Sequence, residues 1–269
     1  MKKKLMFVAP ANSIHSHKWI NYFIKEYEIL WISFDKNNFV DVTNSMYKKN
    51  FHLIKIFEMN LIASIFLFPK LLLTSLKFKP DLVHIHSANK YLFYSTIFLF
   101  FFKKIILTIW GSDYIYNKNK YIYKLFFSFC LKRLSIITTD ANHIKNSIIN
   151  EFKYKKIKII NFGLDETYYT KKMSNNLIHK KILSTVNNLK LNKNNFIIYS
   201  NRSFTEISDI DIIINSFLKL KCKFNNVYLL MTGHGNLFNK FKKKYGNNAF
   251  LKSIYIFPRV NMQTLKYLY

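Results

Sequence analysis

A chain of 269 residues, half of them apolar and 18% aromatic, holds enough core for one large or two modest domains and excludes a disordered tail. Its 42 Lys and Arg against 14 Asp and Glu give a net charge of +28. That excess either follows from a sequence enriched throughout in Lys, Asn, Ile, Phe and Tyr, or draws the protein to phosphorylated ligands and anionic headgroups. Nucleic acid is set aside as a partner, because the lysines are spread and no helix-turn-helix, zinc spacing or RNA-recognition motif accompanies them.

Met1-Lys2-Lys3-Lys4 leads into a short apolar run with no cleavage site, which reads as a strand rather than a signal peptide. From there short apolar runs alternate with stretches of helical period, the pattern of βαβ units around a parallel sheet. Leu5–Ala9 predicts the first strand and Ser16–Tyr27 a helix, with Ile20, Phe23, Ile24 and Tyr27 on one face. Strands at Glu28–Phe34 and Phe51–Phe57, a helix at Leu61–Phe78 and a strand at Asp81–His86 follow. Next come a helix at Tyr91–Phe102, a strand at Lys104–Trp110, a helix at Tyr121–Leu131 and a strand at Ser135–Thr139. Asp140 stands where an N-cap belongs, before a helix at Ala141–Asn150, and Lys156–Ile160 closes the set.

The stretch from about Asp165 to Asn195, rich in Asn, Lys, Ser and Thr, reads as a connection with one helix at Asn176–Leu189. A second series then begins: strand Phe196–Ser200, helix Ser208–Lys221, strand Val227–Thr232, helix Asn236–Tyr245, strand Ile254–Phe257 and a further helix from about Asn261. The expected organisation is an α/β protein with a first parallel-sheet domain over 1–165, a connection over 166–195 and a second, incomplete one over 196–269. The apolar stretches Leu61–Leu73 and Leu92–Phe102 are too short or too interrupted to span a bilayer; with the basic surface they suit resting on one. Cys130 and Cys222, without a CxxC, read as two buried thiols in a reducing cytoplasm.

In open α/β sheets ligands sit beyond the carboxyl ends of the strands, so residues there are the candidates. Asn12, Ser13, His15 and Ser16 follow the first strand, offering polar groups to a sugar or phosphate oxygen; alternatively Ser16 caps the helix and His15 is a surface residue. His84 and His86 share a face of their strand; with no third ligand at proper spacing a metal site is not expected, and His86 reads as facing a cleft. Trp110-Gly111-Ser112-Asp113 ends another strand, where Asp113 either accepts from an acceptor hydroxyl or holds the turn. Asn161-Phe162-Gly163-Leu164-Asp165 reads first as a turn. In the second series Arg202 stands ready to clamp a diphosphate, or is a solvated surface residue, and Gly233-His234-Gly235 lets backbone amides approach a nucleotide.

These pieces, in this order, resemble the family 4 bacterial glycosyltransferases, which have two facing Rossmann-like domains (GT-B architecture). The likeness is carried by Ser13-Ile14-His15-Ser16-His17-Lys18-Trp19, Asp81-Leu82-Val83-His84-Ile85-His86, Trp110-Gly111-Ser112-Asp113, Asn161 to Asp165, Asn201-Arg202-Ser203 and Gly233-His234-Gly235. The resemblance implies retaining transfer of a sugar from a nucleotide diphosphate donor to a lipid-linked glycan acceptor at a membrane surface, in cell-surface polysaccharide assembly such as lipopolysaccharide or capsule, with no metal or other cofactor. It implies catalytic parts for Asp113 and His15, acceptor contacts from Asn12, Ser13, His86 and Ser112, and donor contacts from Arg202, Gly233, His234 and Gly235. Three departures stand out: Ile207 where the family often has Lys, Trp110 where many members have His, and no Glu-x7-Glu pair in these 269 residues. A non-catalytic protein that binds glycan or lipid carrier is the alternative.

Overall fold

The computed structural model describes residues 2–11, 13–34, 51–55, 61–161, 163, 177–190, 192–245, 253–260, 264–265 and 268. The chain divides into two compact units, Met1–Leu164 and Asp165–Tyr269.

The first unit runs β1 (Lys3–Val8), α1 (Ile14–Phe23), β2 (Tyr27–Ser33), β3 (Phe51–Lys55), α2 (Leu61–Phe78), β4 (Leu82–His86), α3 (Lys90–Tyr94) and α4 (Phe98–Phe101). It continues with β5 (Ile105–Ile109), α5 (Ser112–Ile115), α6 (Tyr121–Leu131), β6 (Ile136–Thr139), α7 (Asn142–Phe152) and β7 (Ile157–Ile159). The strands form one seven-stranded parallel sheet in the order β3-β2-β1-β4-β5-β6-β7. A parallel sheet is covered on both faces, so its strands are apolar at successive positions. On β1, Met6 and Val8 enter the larger core with Leu30, Ile85 and Leu107, while Leu5 and Phe7 enter a second core with Ile20, Ile29 and Trp31.

The second unit holds α8 (Leu177–Lys190), β8 (Phe196–Ser200), a 3-10 turn at Glu206–Ser208, α9 (Ile210–Lys221), β9 (Val227–Gly233), α10 (Phe238–Tyr245) and β10 (Ile254–Pro258). Its sheet is parallel and three-stranded, in the order β10-β9-β8. Ile210, Ile214 and Phe217 of α9 and Phe241 and Tyr245 of α10 pack with Leu229 and Met231 of β9.

Several expectations change in detail. The single helix over Tyr91–Phe102 is two short ones, interrupted at Ser95 to Ile97. There the Thr96 hydroxyl turns back to the carbonyls of Leu92 and Phe93, competing with the helical ladder. Asp140 does not cap α7: Ala141 holds the N-cap position, with no side-chain bond. The helix expected within the connection is α8, whose Ile182 and Val186 bury against Leu230 of β9, so it is part of the second unit's body. Cys222 is exposed, and Cys130 alone is buried. The helix expected from Asn261 falls largely outside the described residues. Among the described residues no helix is long and apolar enough to cross a membrane.

Candidate functional site

The order β3-β2-β1-β4 places a switch point between β1 and β4, from which the chain winds outward in both directions. Loops diverging from neighbouring strands open a crevice there, which the residues after β1 and β4 flank. The segment after β1 is pinned from below. Trp31 Nε1 donates to Ala9 O at 3.0 Å, Ser33 Oγ accepts from Ala11 N at 3.0 Å, and His17 Nε2 donates to Ala11 O at 2.8 Å. Ser13 is the N-cap of α1, its hydroxyl accepting from His15 N at 3.3 Å. The cap is therefore Ser13 and not Ser16, which is fully buried with an Oγ that no described group bonds. Asn12 lies outside the described residues.

Rings gather above this point. Trp110 lies with its centroid 5.7 Å from His15 and 6.0 Å from His86, and Trp19 packs edge-on against both His84 and His86 at 5.3 and 5.4 Å. Phe7 closes the underside, 4.7 Å from His86. His86 is enclosed completely and does not face an open cleft as the sequence suggested. Trp110 Nε1 donates to His86 Nδ1 at 3.2 Å, which leaves the imidazole proton on Nε2, an atom with no partner among the described residues. Burial first, then the neighbouring His84 and His15, hold its pKa well below the ordinary imidazole value, so the ring is neutral at pH 7. His84 contacts Thr108 Oγ1 at 2.6 Å, and Thr108 reaches Thr138 at 2.6 Å, a polar ladder across β4, β5 and β6. Burial lowers the pKa of His84 to about 3. His15, half-buried, is shifted down by burial and by Lys18, against an upward pull from Asp140.

Asp113, in the first turn of α5, is buried and serves the backbone. Its Oδ2 accepts from Ala88 N at 2.6 Å and its Oδ1 from Trp110 N at 3.1 Å, with a further bond from the Ser87 hydroxyl. It ties the loop after β4 to the loop after β5. Ser87 needs that tie, because its φ of +81° is a conformation that side chains resist, and such strain persists only where surroundings enforce it. Desolvation outweighs these bonds and raises the Asp113 pKa. Gly111 precedes the turn at φ +107°, and Ser112 beside it is exposed. On α1, Lys18 Nζ donates to Gly163 O at 2.9 Å, fastening the end of the first unit to the same helix.

In the second unit two loops at the carboxyl ends of β8 and β9 are pressed together. Phe204 N donates to His234 O at 2.9 Å and Leu237 N to Phe204 O at 3.0 Å. A Cβ on Gly233 would lie 2.6 Å from Arg202 O, and one on Gly235, at φ +145°, 2.2 Å from Phe204 O. Both glycines are thus required by contact between backbones, and Gly233 is the last residue of β9 rather than part of the loop. The side chains of Arg202 and His234 project from this contact into solvent. Ser200 Oγ, buried at the end of β8 two residues before Arg202, has no partner among the described residues.

The first unit therefore brings His15, His86 and Asp113 together with Ser13 and Ser112 at neighbouring strand ends, and the second brings Arg202, Gly233, His234 and Gly235 together. Sequence reasoning passed over Trp19 and Trp110 as ring partners, Ser87 and Tyr123. The tryptophans were visible inside the quoted motifs; nothing in a serine announces a positive φ. Among the described residues no three His, Cys, Asp or Glu side chains gather as a metal would require.

The family model described as "Glycosyl transferase 4-like" matches residues 4–141. No curated protein sequence matches. A solved glycosyltransferase from Rickettsia africae superposes with a TM-score of 0.72 at 19% identity, covering 98% of this chain and 70% of that one. A sucrose-phosphate synthase from Thermosynechococcus elongatus gives 0.70 at 7%, covering 98% and 72%. UDP-GlcNAc 2-epimerase from Neisseria meningitidis, bound to UDP-GlcNAc, gives 0.53 at 14%, covering 100% and 75%. At these identities the likeness establishes the fold: two Rossmann-like α/β units of the GT-B kind with parallel sheets, the second smaller.

Proposed function

The chain belongs to the glycosyl transferase 4-like family, and from that premise we propose that it moves a sugar from a nucleoside diphosphate donor to a hydroxyl of a lipid-linked glycan, with retention at the anomeric carbon and without a metal or other cofactor. The observation that carries the reading is the chain of rings His15, Trp110 and His86 seated where β1 meets β4, on a loop that Asp113 holds in a strained form. Polar side chains beside aromatic faces, the exposed Ser112 among them, suit a sugar, which offers hydroxyls on its rim and C–H groups on its faces.

In this reading the acceptor docks against Ser13, His15 and Ser112, while His86 fixes the indole of Trp110 and Asp113 fixes the loops. His15, held neutral by its surroundings, is the group placed to accept a proton from the acceptor hydroxyl. Donor binding falls to the second unit. As the bond between sugar and diphosphate breaks, charge grows on the departing diphosphate, and the Arg202 guanidinium stabilises that charge more in the transition state than before it. Backbone groups of Gly233 to Gly235, reachable because neither glycine carries a Cβ, line the nucleotide side. The product would enter cell-surface polysaccharide assembly, such as lipopolysaccharide or capsule, on the cytoplasmic face of the membrane.

Calorimetry with UDP and with GDP tests this. One of them binds, and Arg202→Ala weakens it about ten- to hundredfold, the worth of charge-assisted bonds to a diphosphate, without altering the melting curve. Equal affinity in the variant, or no binding of either nucleotide, would sink the proposal. A second reading, a non-catalytic glycan- or lipid-carrier-binding protein, draws on the full engagement of the Asp113 oxygens with backbone and on Ile207; it expects glycan binding without nucleotide binding.

A further inference from the structure

Helix α6 is apolar at nine of its eleven positions, all but Lys124 and Ser128, more than one covered face requires. Yet only Phe127, Cys130 and Leu131 are buried, in the first unit's larger core. The opposite stripe, Tyr121, Ile122, Leu125 and Phe129, lies open to solvent, with Tyr121 74% and Ile122 81% exposed. The stripe does not stop at the helix. Phe126 meets Phe93 of α3 at 5.7 Å and Phe129 meets Phe100 of α4 at 5.8 Å, and Phe93, Phe100 and Phe101 are themselves exposed by half or more. Three helices thus share one uncovered aromatic surface, larger than scattered exposed residues would produce.

We propose that this surface docks on an anionic lipid bilayer, with α6 lying in the plane of the headgroups. Charge selects the occupant. Between Leu82 and Thr139 the chain carries seven lysines and one arginine against a single acid, Asp113, and that acid is buried. The cations bracket the apolar stripe: Lys120 precedes α6, Lys132 and Arg133 follow it, and Arg133 stacks on Phe100 at 5.1 Å, whereas Lys118 is paired with Glu151 at 3.3 Å. Long basic side chains reach headgroup phosphates while the stems and rings between them enter the acyl boundary. A second copy of the same face would bring like charges together, which disfavours a homodimer. The proposal rests on the lipid-linked acceptor reading and supplies its geometry. The Tyr123 hydroxyl, from the same helix, donates to Ala88 O at 2.9 Å, so the docking helix is bonded directly to the loop that Asp113 and Ser87 shape.

The test is co-sedimentation of the full chain with phosphatidylcholine vesicles, alone or with about a third phosphatidylglycerol, with no donor or acceptor present. Binding requires phosphatidylglycerol, and the double substitution Ile122→Asp, Leu125→Asp lowers the partition coefficient at least about tenfold with tryptophan emission unchanged. Lys103→Glu with Lys104→Glu, both exposed, lowers it in a charge-dependent manner and serves should the first variant misfold. Equal binding to neutral vesicles, undiminished binding of both variants, or a dimer that the Ile122 and Leu125 changes dissociate would each overturn the proposal. UDP and GDP affinity is measured on the same samples: an unaltered chain that binds nucleotide but no phosphatidylglycerol vesicle refutes docking alone, and one that binds such vesicles but neither nucleotide refutes the transferase reading alone.

Discussion

Two buried neutral histidines make the first unit's stability fall steeply on mild acidification. An unfolded chain protonates His84 and His86 near the ordinary pKa of about 6.5, whereas the folded chain keeps both neutral, His84 down to about 3. The folded pKa being the lower, their contribution is complete above pH 6.5 and drains away as pH drops toward the folded value. From pH 7 to pH 5 His84 alone loses about 2 kcal/mol, a large part of a domain's typical stability, and His86 adds a loss of the same sign. Half-buried His15 and His17, also lowered, act in the same sense, while Asp113, whose pKa burial raises, gains stability as pH falls. The assay is urea unfolding followed by tryptophan fluorescence. All three tryptophans, Trp19, Trp31 and Trp110, are in the first unit, so the signal reports that unit alone. His84→Asn removes one titrating group and makes the drop smaller. A change below about 1 kcal/mol between pH 7 and 5, or an undiminished drop in His84→Asn, would refute the assignment of neutral buried imidazoles.

Two substitutions probe the loops. Asp113→Asn puts a donor against the amide of Ala88 or of Trp110 and destabilises the first unit by about 2 kcal/mol in the same fluorescence assay; Asp113 is only a surface turn residue if stability is unchanged. Gly235→Ala forces a Cβ against the Phe204 carbonyl at a φ reserved for glycine, costing at least about 2 kcal/mol, whereas Gly163→Ala meets nothing within 4 Å and is neutral. Amide exchange across β8, β9 and α9 reads this, and equal protection in the two variants would refute the close approach.

The sheet was legible because parallel strands, covered on both faces, leave runs such as Leu5 to Ala9 that no helix period imitates. Chain order then located the strand ends, and with them His15, His86, Asp113 and Arg202. What stayed hidden depends on neighbours remote in sequence. The choice between holding a turn and meeting a substrate could not be made for Asp113 until Ala88, 25 residues away, was seen donating to it. His86 was expected to face a cleft because strand alternation says which side a residue takes, not whether Trp19 and Trp110 lie across it. The break between α3 and α4 was masked by the apolar residues on both sides of it, since Thr96 spoils the ladder only when its hydroxyl turns back to the carbonyls of Leu92 and Phe93.

The two interlocked loops of the second unit separate what mutation can alter from what it cannot. At Gly233 and Gly235 main chain lies on main chain, so the peptide path there is closed to revision. Arg202 and His234 stand on that unyielding base with their side chains in solvent. In the proposed role of these residues as donor contacts, preference for one nucleobase or leaving group over another would drift by exchange at these two positions while the scaffold beneath keeps its shape, and a library aimed at changing the donor should vary them and spare the glycines.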